Sequence, residues 1–231
     1  MASILCIDTA TNICSVCVAR DGQLLAQRET TKSMSHTSLT SVFVQEVLEE
    51  AKLTIKDIAA VAVSGGPGSY TGLRVGISLA KGICTGAKIP LIAINTLESL
   101  GMASIAGYSG PSGNVLHVPM IDARRMEVYF AAYGADKTLV LSNEPYIIEE
   151  DAFKSWFSSY DVLVLSGDGA EKCVEFLGNS ALVDSKVRCS ASNLIKPAFK
   201  RLQAAKFDDL AYYSPNYIKS PNITKPRKGL F

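Results

Sequence analysis

The sequence is short of most features that announce a function. Among its 231 residues are two histidines, one tryptophan and a formal net charge of only +1. So even a charge argues against non-specific nucleic-acid binding over a basic surface and leaves only a local patch. No apolar run approaches the ~20 residues that span a bilayer, and the N-terminal MASILCIDTA has no positive segment ahead of its apolar stretch. With 48% hydrophobic and 19% charged residues, the chain also lacks the composition of a disordered protein. The expectation is a soluble, intracellular protein built as one large domain or two small ones.

The familiar catalytic signatures are missing too. A P-loop needs a lysine after its last glycine, and none stands at that spacing. A dinucleotide fingerprint needs a third small residue where Thr71 stands. A metal-binding helix that began with His36 would want a second histidine at Thr40, and His117 has no evident partner. No nucleophile, base and acid can be assembled into a triad, so the expected catalytic set is empty, with no metal and no cofactor. Six cysteines are present, but a chain this long and apolar needs no disulfide staples. Cys14 and Cys17 sit in the strand-like run CSVCVAR, where an odd offset sends their side chains to opposite faces. They are expected to be packing residues.

What is present has a clear order. SILCID, CSVCVAR and QLLAQRE read as three strands, the last two joined at Asp21-Gly22. A helix is predicted from about His36 to Lys52, with Leu39, Val42, Phe43, Val44, Val47, Leu48 and Ala51 apolar, a face wide enough for two neighbours. Then follow the strand AAVAVS, the turn Gly65-Gly66-Pro67-Gly68-Ser69-Tyr70, a helix to Ala87, the strand LIAI and a helix capped at Asn95. A turn-rich stretch, 107–114, separates this from LHVPMID, MEVYFAAYG and TLVLS, which repeat the opening pattern. Both first strands end in Ile-Asp, at Asp8 and Asp122. The expected architecture is α/β, with halves 1–106 and 107–231 facing each other across a cleft. Further strand, turn and helix signals follow in DVLVLSGDGAEKCVEFLG, and a helix is predicted over 190–206. The proline-rich tail carries Lys219, Lys225, Arg227 and Lys228 with no acid among them, and is expected to pack back on the first half.

Two features carry candidate chemistry. The glycine turn, with Gly68, Ser69 and Arg74, lies before a helix N-terminus that favours an anion, so a phosphate site and a plain tight joint are both open readings. Asp8, with Thr9, and Asp122 end equivalent strands; they could hold a divalent ion through water or only cap their own turns. The helix after the glycine turn also puts Gly72, Gly76 and Ala80 on one face, beside the apolar Leu73 and Ile77. Such a row admits close approach by another helix or by the chain's own sheet.

The stretches ILCIDTATNICSVCVA, His36-Thr37-Ser38-Leu39, SGGPGSYTGLRVGISLAKGI, IDARRMEVY and SPNYIK occur in the order seen in the TsaB (YeaZ) family. The resemblance covers nearly the whole chain and is weakest over 137–207. It implies the two-domain fold shared by actin, sugar kinases and Hsp70, each half a mixed sheet with flanking helices. It also implies a cytoplasmic role in forming N6-threonylcarbamoyladenosine in tRNA next to the anticodon. The implied role is that of a non-catalytic scaffold for TsaD, which transfers the threonylcarbamoyl group, joined by the ATPase TsaE, with tRNA contacted weakly or only through partners. The contact with TsaD, and self-association into a homodimer, would use the first two long helices, at Leu39, Phe43, Val47, Gly72, Leu73, Gly76, Ile77 and Ala80. A nucleotide or phosphate contact would fall at Asp8, Thr9, Gly68, Ser69 and Arg74. Two departures from catalytic relatives fit a scaffold: Thr40 replaces a second histidine, and Ala10 stands where kinases of this fold have glycine. A metallopeptidase and a small-molecule kinase using the cleft are the alternatives.

Overall fold

The apolar runs at the start of the chain become a sheet in which nearly every position is covered. In a computed structural model, which describes residues 1–31, 36–148, 158–173, 181–184 and 186–219, Ser3–Asp8 (β1), Cys14–Arg20 (β2) and Gln23–Thr30 (β3) form an antiparallel meander. Its second turn uses Asp21 and Gly22 at φ +48° and +83°, the geometry of a tight hairpin. Helix α1 (His36–Glu50) then leads to β4 (Ile58–Ser64), helix α2 (Tyr70–Ala87), β5 (Leu91–Ile94) and helix α3 (Thr96–Gly107). β4 and β5 add parallel to β1, giving the order β3-β2-β1-β4-β5.

The second half repeats this plan. β6 (Val115–Asp122), β7 (Glu127–Gly134), β8 (Leu139–Ile147), β9 (Val162–Ser166) and β10 (Ala181–Asp184) are ordered β8-β7-β6-β9-β10, with the same mixture of antiparallel and parallel pairs. The architecture is α/β, a pair of mixed sheets with flanking helices. The chain then makes a short 3-10 turn, Ala191–Leu194, and helix α4 (Ile195–Gln203), so the helix expected over 190–206 is shorter. The helix expected after the Gly167-Asp168-Gly169 turn falls mostly on 174–180, outside the described residues.

Two of the four described helices do not stay with the sheet nearest in sequence. α1 and α2 cover one face of the first sheet, enclosing Leu5, Ile7, Val16, Val47, Leu73 and Ile77. Its other face, with Ile4, Cys6, Cys17 and Ile92, is covered by Leu194, Ala198 and Phe199 from the far end of the chain. Conversely, Leu97 and Leu100 of α3 pack on Ile121, Ala131 and Tyr133 of the second sheet. A cut between 106 and 107 therefore leaves α3 and α4 each in sequence with one half and in packing with the other. The six cysteines are buried and free. Cys14 meets Thr40 of α1 while Cys17 lies on the α4 face, as the strand period requires.

After α4 the chain crosses the first half as a strap. Asp208 accepts a hydrogen bond from the amide of Ala93, Lys81 donates to the carbonyls of Ala211 and Tyr213, and the amide of Asn216 donates to Gly65. Lys219 then reaches Glu127 of β7. Lys225, Arg227 and Lys228 lie outside the described residues. Among the described residues no helix is long and apolar enough to cross a membrane.

Candidate functional site

The parallel strands β1, β4 and β5 end together at Asp8, Ser64 and Ile94, the edge at which α/β sheets open ligand crevices. The glycine turn lies there, and several of its backbone groups are already engaged. The Gly65 amide donates to the Ile94 carbonyl at 2.7 Å, and the Gly65 carbonyl accepts from Asn216 at 2.8 Å. The Gly66 carbonyl accepts from Thr96 at 2.9 Å, and the Ser69 amide donates to Ala10 at 2.6 Å. Ser69 caps α2 with its own side chain, accepting from the Gly72 amide.

The glycines serve close approach by the chain itself. A Cβ on Gly68 would stand 2.3 Å from the Ala10 carbonyl oxygen, and one on Gly72 would stand 2.1 Å from that of Thr9. On Gly66, at φ +106°, it would lie 2.7 Å from the Asn216 carbonyl oxygen. Thr9 is fully buried and its hydroxyl donates to the Gly72 carbonyl at 2.8 Å. Of the residues expected at a phosphate contact, Asp8, Thr9, Gly68, Ser69 and Arg74, the structure packs the Thr9-Ala10 turn against Gly68 and Gly72. Arg74 is turned elsewhere, its guanidinium 4.1 Å from the centre of the Tyr70 ring, with Nε donating to Tyr217 at 3.0 Å.

The expected interface residues separate in the same way. Val47, Gly72, Leu73, Gly76, Ile77 and Ala80 are buried against their own sheet, and a Cβ on Gly76 would lie 2.3 Å from the Thr9 hydroxyl. The small-residue row receives β1 and its turn, so these six are not free to meet a partner. Leu39 and Phe43 stay half-buried. Toward solvent α1 shows Val42, and α2 shows Ser78 and Gly82, with Val75 and Leu79 half-covered.

Asp8 is the most unusual side chain of the edge. Its Oδ1 accepts the Ala10 amide at 3.0 Å, while Oδ2 is buried with no hydrogen-bond partner among the described residues. Burial pushes its carboxyl above the usual range, and the acids Glu29 and Asp168 add to the effect. Two more buried oxygens without partners among the described residues, Thr96 Oγ1 and Ser166 Oγ, belong to the first residue of α3 and the last of β9. Asp122 is not the acid that acts on Asp8. Its carboxylate accepts the Arg124 amide and the amine of Lys172, so it caps its own turn. Asp168, which the sequence reading overlooked, follows β9 and accepts the Asp122 amide at 3.1 Å. Desolvation, and then Asp122, push its carboxyl up as well. Its signal was the Gly167-Asp168-Gly169 turn after an apolar strand, in the place that the glycine turn takes after β4.

No group of three or more His, Cys, Asp or Glu side chains among the described residues is arranged to hold a metal ion. The side chain of His36 lies outside the described set. His117 is buried in β6, where its Nδ1 is 2.8 Å from the Ser104 hydroxyl of α3. Both groups are sealed inside, so they act as packing and not as a nucleophile and base.

Comparison with known proteins gives matches along most of the chain. The family described as TsaD: tRNA N6-adenosine threonylcarbamoyltransferase matches residues 25–225. The "tRNA threonylcarbamoyladenosine biosynthesis protein TsaB" of Escherichia coli is 38% identical over 141 residues, which is 61% of this chain and 59% of that protein. The protein of the same name from Bacillus subtilis is 31% identical over 131 residues, 57% and 55% of the two chains. The chain thus spans little more than half the length of these curated relatives. The solved structure "YeaZ from Pseudomonas aeruginosa" superposes with a TM-score of 0.78 over 94% of this chain and 100% of that one, at 23% identity, a likeness of fold.

Proposed function

The chain belongs to the family described as TsaD: tRNA N6-adenosine threonylcarbamoyltransferase; from that premise we propose that it is a TsaB (YeaZ)-type protein, a non-catalytic partner subunit in the biosynthesis of tRNA N6-threonylcarbamoyladenosine. The observation that carries the non-catalytic reading is the filled glycine turn. Around that turn the carbonyls of Thr9, Ala10 and Asn216 lie where side chains on Gly72, Gly68 and Gly66 would project. Carbonyl oxygens repel an anion, and the amides of Gly65 and Ser69 that would attract it are already bonded.

In this reading the chain acts through its surface in the cytoplasm, binding a TsaD-type transferase subunit that a TsaE-type ATPase joins. Contact falls on the solvent sides of α1 and α2, which carry Leu39, Val42 and Phe43 on one helix and Val75, Leu79 and the exposed Gly82 on the other. A Cβ on Gly82 would meet nothing within 4 Å, so a foreign helix can approach there without displacing the chain's own atoms. Without its partner the same patch pairs with a second copy. The tRNA is held mainly by the partners, in keeping with a net charge of +1.

The test is reconstitution from the proteins of one genome. Transferase subunit, ATPase, tRNA, ATP, threonine and the enzyme that makes the activated threonyl donor are mixed with and without this chain, and the tRNA nucleosides are measured by mass spectrometry. Modification is expected only when the chain is present, and a Val42→Asp variant is expected to abolish both binding and modification. Undiminished modification without the chain would refute the proposal.

A further inference from the structure

Where β3 at the edge of the first sheet meets the segment 186–193, the structure leaves a cavity of about 370 Å³, within the ~300–1,000 Å³ of small-molecule sites. Gln27 and Glu29 form its β3 side; two residues apart on a strand, they share one face. Val187 and Cys189 turn into the core beside Leu97 and Ile121, so that Lys186, Arg188 and Ser190, alternating with them, border the cavity. Its polar groups are braced. The buried Ser15 hydroxyl accepts the Ala191 amide at 3.0 Å, and Ser190 donates to Glu29 at 3.0 Å while accepting from Gln27 at 2.9 Å. Arg188 Nη2 donates to Glu29 at 2.7 Å.

What these groups still offer defines a ligand. Gln27 donates its amide nitrogen to Glu29 and Ser190, and Asn193 donates its own to the Arg188 carbonyl at 2.8 Å. Both amide oxygens therefore remain as acceptors among the described residues. Glu29 receives Arg188, Ser190 and Gln27, which leaves one of the roughly four acceptor positions of a carboxylate. Three oxygens thus stand ready for the three N–H donors of an ammonium group. Beside them, Lys186 has no hydrogen bond or ion pair among the described residues, and Arg188 keeps further N–H donors for a second carboxylate.

We infer that this cavity binds a small amino dicarboxylate of the aspartate and glutamate class, its ammonium on the oxygens of Glu29, Gln27 and Asn193 and its carboxylates on Lys186 and Arg188. The charges complement each other: two cations and one acid in the described lining face two carboxylates and one ammonium in the ligand. A phosphate dianion would meet the Glu29 charge and leave the three acceptors unused. A nucleobase would find no aromatic ring to stack on among the described lining residues. Gln27 and Glu29 belong to the first sheet, whereas Val187 and Cys189 pack against the second, so the ligand ties the two halves together and stabilises the folded chain by mass action. The inference is independent of the assembly proposed above.

The experiment titrates the full chain, without partners, with L-glutamate and with L-aspartate by calorimetry, and follows the melting midpoint. Saturable binding and a raised midpoint are expected, the tighter of the two amino acids reporting the reach between the ammonium seat and the cations. Glutarate, which lacks the ammonium, and L-glutamine, which lacks the second carboxylate, should each bind at least tenfold more weakly. Lys186→Glu should weaken glutamate binding at least tenfold with an unchanged midpoint in the ligand-free protein, and Glu29→Gln should lose the preference for glutamate over glutarate. If neither amino acid binds, or if Lys186→Glu binds glutamate as the parent does, the site is wrong. Glutarate as tight as glutamate would overturn the ammonium seat, and inorganic phosphate tighter than both amino acids would overturn the ligand class. Each of these failures leaves the assembly reading standing, because that reading is decided by reconstitution with partners.

Discussion

Gly72 and Gly82 stand on the same helix and differ by what a methyl group would meet. At Gly72 a Cβ would lie 2.1 Å from the Thr9 carbonyl oxygen, which is backbone and cannot swing aside. At Gly82 it would find open space. Gly72→Ala is therefore expected to destabilise the fold by ~1–3 kcal/mol or more, the usual penalty for overpacking. Gly82→Ala is expected to stabilise it by ~0.5–1 kcal/mol, because glycine inside a helix costs that much relative to alanine. Denaturant melts of the two variants check this, and the opposite order would mean that β1's turn does not press on α2. The same comparison bears on the interface positions expected from the sequence. A row of small residues reports that something comes close and says nothing of what comes. Six of the eight expected interface positions belong to the chain's own core for that reason.

Elements were read from the sequence more reliably than faces were. Strand ends, the Asp21-Gly22 hairpin and the Asn95 cap follow from local chemistry, and the structure places Asn95 Oδ1 on the Glu98 amide at 3.0 Å. Which sheet a helix serves depends on partners distant in sequence, and α3 shows how much rests on one such contact. Its Ser104 meets His117 of β6 inside the core, where burial holds the imidazole below its ordinary value of 6.5. The neutral ring is thus the folded form, while the unfolded chain takes up a proton below about pH 6.5. Stability from this contact is full above that pH and is lost as the pH falls below it, at up to ~1.4 kcal/mol per unit. The melting midpoint is expected to drop between pH 7.5 and 5.5, and His117→Asn should flatten that dependence. An equally steep drop in the variant would assign the effect to other groups.

At the scale of the whole molecule, the duplicated plan was visible in the repeated strand pattern and in the two Ile-Asp strand ends. The exchange of helices was not, because α3 and α4 carry no mark of the sheet they will cover. That exchange governs how the protein must fold. The first sheet buries Ile4, Cys6, Ile92 and Ile94 only after Leu194, Ala198 and Phe199 arrive from nearly two hundred residues along the chain. The strap then fastens Asn216 to the glycine turn and Lys219 to β7. A fragment ending at residue 106 would expose one full apolar face of its sheet, and α3 would have no second sheet to cover. Such a face exceeds what a soluble monomer tolerates. Residues 1–106 produced alone are therefore expected to be aggregated or to melt without a cooperative transition, and co-production with 107–231 should restore a single sharp one. A sharp, independent melt of 1–106 would show that α4 and the strap are dispensable.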